Sequence, residues 1–533
     1  MSETSAGDSS AKRSPSEGRE ILKASSSLSV MTLTSRVLGL IREMTRATLM
    51  GTGPLAEAFT VGFNMPNFFR KIFAEGSVNA AFIPTIKGYI QDEDEVPMRD
   101  FISATFTVLI FAVSLVTLLG IVLADFIVIP FGCALPGEAA TLTRIMFPFL
   151  VLVSVAALFQ GMLNSKKIFT PSGLAPILFN LCFIFLPQLF NIWLRNPARS
   201  MAWSVVVGGF FQAICQLPAV LRADYRFGLV SLKKAFANPG TKKVLGLIAP
   251  TILGVAAYEL NSMVSVALAS NSNSATAINL SLRLQELILG IFVVSISTVI
   301  LPLLSGKAKE GDWKGFNDRI TKSLDTVSLI TLPIAAFCLL ECKDIVGLLF
   351  MRGRFDQDSV RITAGAFFYH SMGLFFIGQN RILAPAFYAR EDTKLPTLAG
   401  LINVGVNVIM AFILSFSMRG LGIALALSVA SAVNTALLVV FYLRKENVDR
   451  AAFARSGLYA LRLVAFSVVA GAAVWFLSPW AHAQFSQARN GIIRYGAPLV
   501  ILTAVYGAIG VFLLVVSRDP NLRSLTGRFS RRK

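Results

Sequence analysis

The chain has 533 residues, is 54% hydrophobic and 15% charged, and carries 49 Lys and Arg against 30 Asp and Glu, a net charge of +19. Soluble domains carry about 25% charged residues, and the mean hydropathy here is +0.66, so a string of soluble domains is excluded. The positive excess lies beside apolar runs, which points to anionic membrane lipids as its counterpart and not to nucleic acid.

Residues 1–24 are rich in Ser, Gly, Lys, Arg and Glu and read as a disordered cytoplasmic tail. They hold no early apolar core with a small-residue cleavage site, so the first apolar helix is expected to be a retained span. Apolar runs then recur down the chain, many of them about 20 residues long, enough to cross a hydrocarbon core of about 30 Å as a helix. The expected spans are 25–50, 58–86, 100–124, 142–163, 171–193, 201–221, 244–269, 275–306, 323–340, 362–388, 395–415, 420–443, 463–478 and 495–517. None alternates in polarity as a barrel strand would. The fold class is therefore an all-α polytopic membrane protein of about 14 transmembrane helices. Segments 58–86 and 275–306 exceed one crossing and are expected to be tilted or broken.

Positive charge sets the orientation. With the N-terminus in the cytoplasm, the cytoplasmic tails and loops hold 32 Lys and Arg and the opposite loops hold 9. This is the positive-inside pattern, and it places both termini in the cytoplasm. Eight cations remain at or within spans: Arg36, Arg42, Arg46, Arg70, Lys71, Arg144, Arg283 and Arg381. A cation at mid-bilayer costs roughly 2.5–3.5 kcal/mol on insertion scales, so such residues face a bundle interior or a wet cavity. Arg46 and Arg144 are the candidates for snorkelling from helix ends.

The first span reads SRVLGLIRE over 35–43. Arg36 and Glu43 fall within about 20° of each other on a helix, while Arg42 points elsewhere. They form either a structural ion pair or charge facing an aqueous cavity. In the second span Pro66 favours a kink. Lys71 and Glu75 can neutralise each other at i, i+4, which leaves Arg70 the stronger candidate there. Arg283 and Glu286 can pair locally at i, i+3, or Arg283 can serve a central cavity. Guanidiniums suit a diphosphate because they stay protonated and bond phosphate oxygens bidentately.

A weak repeat is visible as well. AAFIPTI (80–86) and TVILPLL (298–304) lie 218 residues apart, and both are followed by Lys and acidic residues. A charged or polar turn before Pro recurs at 164–171 and 389–396. Five cysteines (Cys133, Cys182, Cys215, Cys338 and Cys342) form no CxxC, and most sit in apolar runs, so no disulfide framework is expected. His370 and His482 are far apart in sequence, and no HExxH or Cys/His cluster predicts zinc. Without a P-loop, a nucleophile motif or a convincing carboxylate pair, an enzyme is not expected.

SRVLGLIRE (35–43), AEAFTVGFNMPNFFRKIFAEGSVNAAFIP (56–84), LRLQELILGIFVVSISTVILP (282–302) and LAPAFYAREDTKLPT (383–397) together resemble the MurJ/MviN lipid II flippase family, in order, from about residue 25 to 517. The resemblance implies a multidrug/oligosaccharidyl-lipid/polysaccharide exporter fold: a six-helix lobe at 25–223, a cytoplasmic linker at 224–239, a second six-helix lobe at 240–444, two extra helices within 445–517 forming a lipid-tail groove, and a basic cytoplasmic tail at 518–533. It implies transport of undecaprenyl-diphosphate-linked peptidoglycan precursor, lipid II, to the outer leaflet of the bacterial cytoplasmic (inner) membrane by a monomer, with cell-wall synthesis or division machinery as candidate partners. The substrate-binding arginines of the family match Arg36, Arg42, Arg70 and Arg283. The cavity or gating acids match Glu43 and Glu57, where many members have Asp. Some members bind sodium through an Asp in the seventh span, but the matching stretch here is NSMVS (261–265). Asn403 and Asn407 retain a polar pair for a possible cation site or for helix–helix hydrogen bonding, and no coupling ion or other cofactor is assigned. The alternatives are an exporter of another polyprenyl-linked saccharide or of a cationic drug, against which the arginines argue, and a non-transporting scaffold for cell-wall synthesis.

Overall fold

The computed structural model describes residues 15–74, 77–92, 95–488 and 490–522, the side chains at 15–29, 77–80, 249–258 and 295 excepted. These residues form α1 (Pro15–Met50), α2 (Pro54–Phe73), α3 (Ser77–Gln91), α4 (Glu95–Val122), α5 (Ala124–Val128), α6 (Pro136–Met146), α7 (Phe149–Ser165), α8 (Thr170–Leu194), α9 (Pro197–Ile214), α10 (Leu217–Arg222) and α11 (Leu232–Ala237). There follow α12 (Pro239–Ser270), α13 (Ala275–Phe292), α14 (Val294–Lys309), α15 (Trp313–Phe350), α16 (Gln357–Met372), α17 (Leu374–Tyr388), α18 (Lys394–Met418), α19 (Gly420–Leu443), α20 (Arg450–Phe485) and α21 (Gly491–Val516). No strand occurs among the described residues. The tails read at 1–24 and 518–533 lie partly outside them, and α1 already begins at Pro15.

Among the described residues ten helical segments, with α6–α7 and α9–α10 each taken as one, are long and apolar enough to cross a membrane, or eleven if α16 and α17, bent by 41°, make one span. The count of fourteen is therefore not reached on length and composition. The expected spans 25–50, 58–86 and 244–269 are helical but fall outside that set. Charge explains the first: α1 carries Arg36, Arg42, Glu43 and Arg46 within three turns. Both segments expected to be tilted or broken are broken, the first between α2 and α3 and the second at Val293 between α13 and α14.

The chain forms two compact units. The first comprises residues up to Arg42, Pro66–Val122 and Arg144–Val255. In it α7 packs against α3, α4 and α9, around Phe82, Phe101, Leu150, Leu158, Met162 and Tyr225. In lipid, close packing holds helices together more than water exclusion does. Glycines make that packing possible on α9: a Cβ at Gly209 would stand 2.5 Å from the Phe149 ring, and one at Gly208 would stand 2.9 Å from Phe179. Tyr225 closes this unit, its hydroxyl 2.7 Å from Ser165 Oγ and its ring 4.6 Å from the Lys166 ammonium.

The second unit comprises Glu43–Met65, Leu123–Thr143 and Ala256–Lys533. One core joins α14, α15, α17 and α19 through Leu304, Phe316, Ile320, Leu383, Phe387 and Tyr442. Another joins α15 to α20 and α21 through Phe337, Val474, Leu502 and Tyr506. Tyr442 donates to Asn317 Oδ1 at 3.1 Å, and the Arg390 guanidinium stacks over Trp313, Phe316 and Tyr442 at 4.6, 5.1 and 5.5 Å.

The turns themselves repeat. Three pairs of non-glycine residues adopt left-handed φ at matching places: Lys167 (61°) and Glu391 (60°), Arg195 (47°) and Arg419 (51°), Asp224 (58°) and Asn447 (57°). The first two pairs are 224 residues apart and the third 223. Left-handed backbone costs an L-residue roughly 1–2 kcal/mol. The recurrence of positive φ before α8 and α18, after both (with ψ 23° at Arg195 and −134° at Arg419), and after α10 and α19 supports the internal repeat read from the sequence.

Candidate functional site: span arginines and a capped helix

Arg36, Arg42 and Arg70 belong to the first unit, and all three are half-buried. Arg42 is held in place: its Nη1 donates to Asn180 Oδ1 at 3.1 Å, and its guanidinium lies 5.4 Å from the Phe183 ring centre. Asn180 is itself oriented by donating Nδ2 to the Ser35 carbonyl at 3.1 Å. An amide on one edge and a ring on one face thus orient this planar cation. Arg70 donates Nε to Asn67 Oδ1 at 3.0 Å, one turn back on α2. Glu75, the expected partner of Lys71, lies outside the described residues.

Arg283 lies in the second unit on α13. Its Nη1 meets Glu286 Oε2 at 2.7 Å, with the side chains 45% and 58% exposed. The local i, i+3 pair read from the sequence is thus present. Glu43 is buried, and Arg46 Nε lies 3.2 Å from its Oε2. Arg46 does not snorkel: it is 9% exposed, and a buried guanidinium needs this carboxylate beside it.

Glu57 occupies a position that sequence spacing did not predict. Its side chain is fully buried, and its carboxylate reaches the start of α13. Oε2 accepts from the Ala275 N–H at 3.1 Å, and Oε1 accepts from the Thr276 N–H at 2.8 Å. The first N–H groups of a helix have no partner within it, and Ser274, the N-cap residue, makes no side-chain cap. Glu57 supplies the missing acceptors and a negative charge at the positive end of the helix. Beside it, Thr60 and Thr276 hydroxyls pair at 2.9 Å.

The same end of this unit is tightly sewn. Arg354 N–H donates to the Thr48 carbonyl at 2.9 Å, and Thr52 and Ser359 hydroxyls lie 2.8 Å apart. Gly353, at φ 57°, has room for no Cβ, since one would lie 2.4 Å from the Thr48 carbonyl oxygen. The α1–α2 turn is thereby fastened to the α15–α16 turn, and the start of α2 to the start of α13.

The possible cation-site asparagines lie on α18. Asn407 is buried and donates Nδ2 to Asn261 Oδ1 at 3.0 Å and Ser265 Oγ at 3.4 Å. The side-chain oxygens of Asn403 and Asn407 have no hydrogen-bond partner among the described residues. Helix–helix hydrogen bonding, the plainer of the two readings, is present. All five cysteines are free thiols.

Known proteins give this geometry a family. A profile described as "Lipid II flippase MurJ" matches residues 46–491. A "Probable lipid II flippase MurJ" of Treponema pallidum is 39% identical over 508 residues, covering 94% of this chain and 96% of its own. One of Vibrio cholerae is 30% identical over 537 residues, covering 95% and 98%. Among solved structures, "Lipid II flippase MurJ, inward closed conformation" superposes with a TM-score of 0.75 at 19% identity, covering 92% of this chain and 99% of that one. An inward-facing multidrug resistance transporter of the MATE family superposes with a TM-score of 0.59 at 14% identity, covering 80% and 95%. At those identities the structures speak for the fold, and the sequence matches speak for the family. The chain is a multi-pass membrane transporter and belongs to the MurJ family of lipid II flippases.

Proposed function

We propose that this chain moves lipid II from the inner to the outer leaflet of the bacterial cytoplasmic membrane by alternating access, with both termini in the cytoplasm. The observation that carries the reading is Arg42, fixed by Asn180 and Phe183 within a span that also bears Arg36. A diphosphate leaving water needs donors of comparable strength, and pre-oriented guanidiniums supply them. Arg70 and Arg283 extend the cationic set.

Alternating access requires an end that opens and closes. We assign that closure to the Glu57 cap on α13 and the Thr48–Arg354 and Thr52–Ser359 contacts. An inside-negative potential favours outward passage of an anionic headgroup by roughly 2.3 kcal/mol per charge per 100 mV.

The test is lipid II accessibility on the outer face of cells depleted of their own flippase and supplied with this chain or with an equally expressed Arg283→Ala variant. Wild type is expected to restore accessibility and the variant to fail. Failure of both, with normal insertion, sinks the substrate assignment; success of both sinks the role of Arg283 alone.

A further inference from the structure

Near the C-terminal ends of α15 and α20, three metal-ligating side chains converge. Glu341 and Asp344 come from α15 and His482 from α20, and one ligand atom from each lies within 4.8 Å of the others. Asp344 Oδ2 is 2.5 Å from His482 Nε2, and the Glu341 carboxyl hydrogen-bonds the Asp344 carboxyl. Glu341 and Asp344 are 4% and 5% exposed. Glu341 itself interrupts α15, with φ −110° and ψ 20°.

The imidazole shows what this cluster lacks. Its Nδ1 lies 2.7 Å from the Ser478 carbonyl oxygen. A carbonyl only accepts, so Nδ1 carries the hydrogen. Without a metal, Nε2 must carry a hydrogen as well to meet the Asp344 carboxylate at 2.5 Å. A cation that displaced the bridging protons would find three electron-pair donors facing one another at close range. A histidine that gives its far N–H to a backbone carbonyl and turns its other nitrogen toward carboxylates has the arrangement usual for a metal-bound imidazole.

We propose that Glu341, Asp344 and His482 bind one divalent transition-metal ion, for which zinc is the best fit. One nitrogen and two carboxylate oxygens suit zinc and leave a fourth tetrahedral position for water. The two carboxylates supply two negative charges against the two positive charges of the ion. Ligand atoms around a tetrahedral zinc stand roughly 3.3 Å apart, given bonds of ~2.0 Å, so the 2.5 Å contact needs only a small side-chain adjustment. The ion would pin the far end of α20 to α15. The near end of the same helix pair is already joined by Ser456 donating to Asp325 Oδ1 at 2.5 Å. The site would thus fix how α20 leans on the rest of its unit, independently of any reading of the transported substrate. Sequence inspection does not find it, because Asp344 and His482 are 138 residues apart and follow no ligand spacing.

The full chain, purified without a polyhistidine tag, reconstituted in nanodiscs and stripped with chelator, should be titrated with zinc chloride. One equivalent per chain is expected to bind. Asp344→Asn and His482→Gln should each weaken binding at least tenfold, while Asp325→Asn on the same helix pair should leave it unchanged. X-ray absorption at the zinc edge of the loaded wild type, which needs no variant, should show one imidazole among nitrogen and oxygen ligands. The proposal is overturned if wild type takes up no more zinc than His482→Gln, or if the absorption spectrum lacks an imidazole; the cluster is then held together by protons alone.

Discussion

Helices α8 and α18 are bracketed by positive-φ residues at matching places, Lys167 and Arg195 in one case, Glu391 and Arg419 in the other, although ψ is 23° at Arg195 and −134° at Arg419. Each carries a buried asparagine that crosses to another helix, yet the crossings differ. Asn180 on α8 donates to Ser35 and accepts from Arg42. Asn407 on α18 donates to Asn261 and Ser265, and its own oxygen has no partner among the described residues. The repeat has kept its backbone turns and exchanged its polar side chains. Turns resist change because each fixes where the next helix starts. A side chain in mid-helix can change partner without moving the frame. One crossing orients a guanidinium, while the other joins helices through amides and a hydroxyl.

The largest expected effect comes from breaking the first crossing. Arg42→Gln should lower outer-face lipid II accessibility by roughly tenfold or more, since a hydrogen bond to a charged group contributes ~1.5–3 kcal/mol and each 1.36 kcal/mol is a factor of ten. Arg42→Lys should rescue little, because an ammonium cannot both bond Asn180 and lie flat toward Phe183. Asn407→Leu, the corresponding break in the second crossing, should leave accessibility near wild type. It should cost roughly 0.6–1.7 kcal/mol of stability, the range for interhelical hydrogen bonds in membranes. If Asn407→Leu abolishes flipping while the protein stays folded, the crossings are not differentiated as argued.

A smaller effect tests the shared frame. Glycine adopts left-handed φ without the steric penalty that Lys167 and Glu391 bear. Lys167→Gly and Glu391→Gly should therefore be tolerated to within about 1 kcal/mol. Valine at either place should lower the unfolding midpoint, because a β-branched residue is the worst fit to that region. Matching responses in both halves are expected. A midpoint that falls with valine at one turn and not at the other would mean that the matching φ values do not reflect matching constraint.

Much of this was legible in the amino-acid order. Hydropathy marked the apolar runs, and length marked the two that break. The i, i+3 spacing anticipated the Arg283–Glu286 pair. What stayed hidden depends on partners distant in sequence. Glu57 is one acid in an otherwise apolar segment; nothing nearby says that it caps a helix starting at Ala275. Arg46 lay close enough to a helix end to suggest snorkelling, and only packing shows it buried beside Glu43. The left-handed turns were missed for a different reason. Lys167, Arg195, Glu391 and Arg419 are not the Gly or Asn that signal such backbone. The Glu341–Asp344–His482 cluster needed two helices to be brought together before any ligand set existed.

The smallest expected effect lies in the turn that opens the second crossing, between α17 and α18. Asp392 there meets the Lys445 ammonium at 2.6 Å and accepts from the N–H groups of Lys394 and Leu395 at 3.0 and 3.2 Å. Burial opposes ionisation of this carboxyl, but the ammonium and the two N–H groups outweigh it, so its pKa lies below the ordinary carboxylate value. The corresponding turn of the first half relies instead on Lys166, which donates to the Ala223 carbonyl at 2.6 Å and lies over the Tyr225 ring. Only the second turn therefore responds to acid through a carboxylate of its own. A carboxyl whose folded pKa is depressed stabilises the fold fully above its unfolded value of about 3.9, and that contribution disappears as pH falls through the lower folded value. Asp392→Asn should lower the unfolding midpoint at pH 7 by the equivalent of about 1 kcal/mol or less, as for a partly exposed ion pair. The gap between wild type and variant should close as pH drops below about 4. Lys166→Met, which removes the cation of the first turn, should show a gap that does not change over the same range. A gap at Asp392 that stays constant into acid would mean that the carboxylate charge contributes nothing there and that the backbone hydrogen bonds, which asparagine can also accept, hold both turns alike.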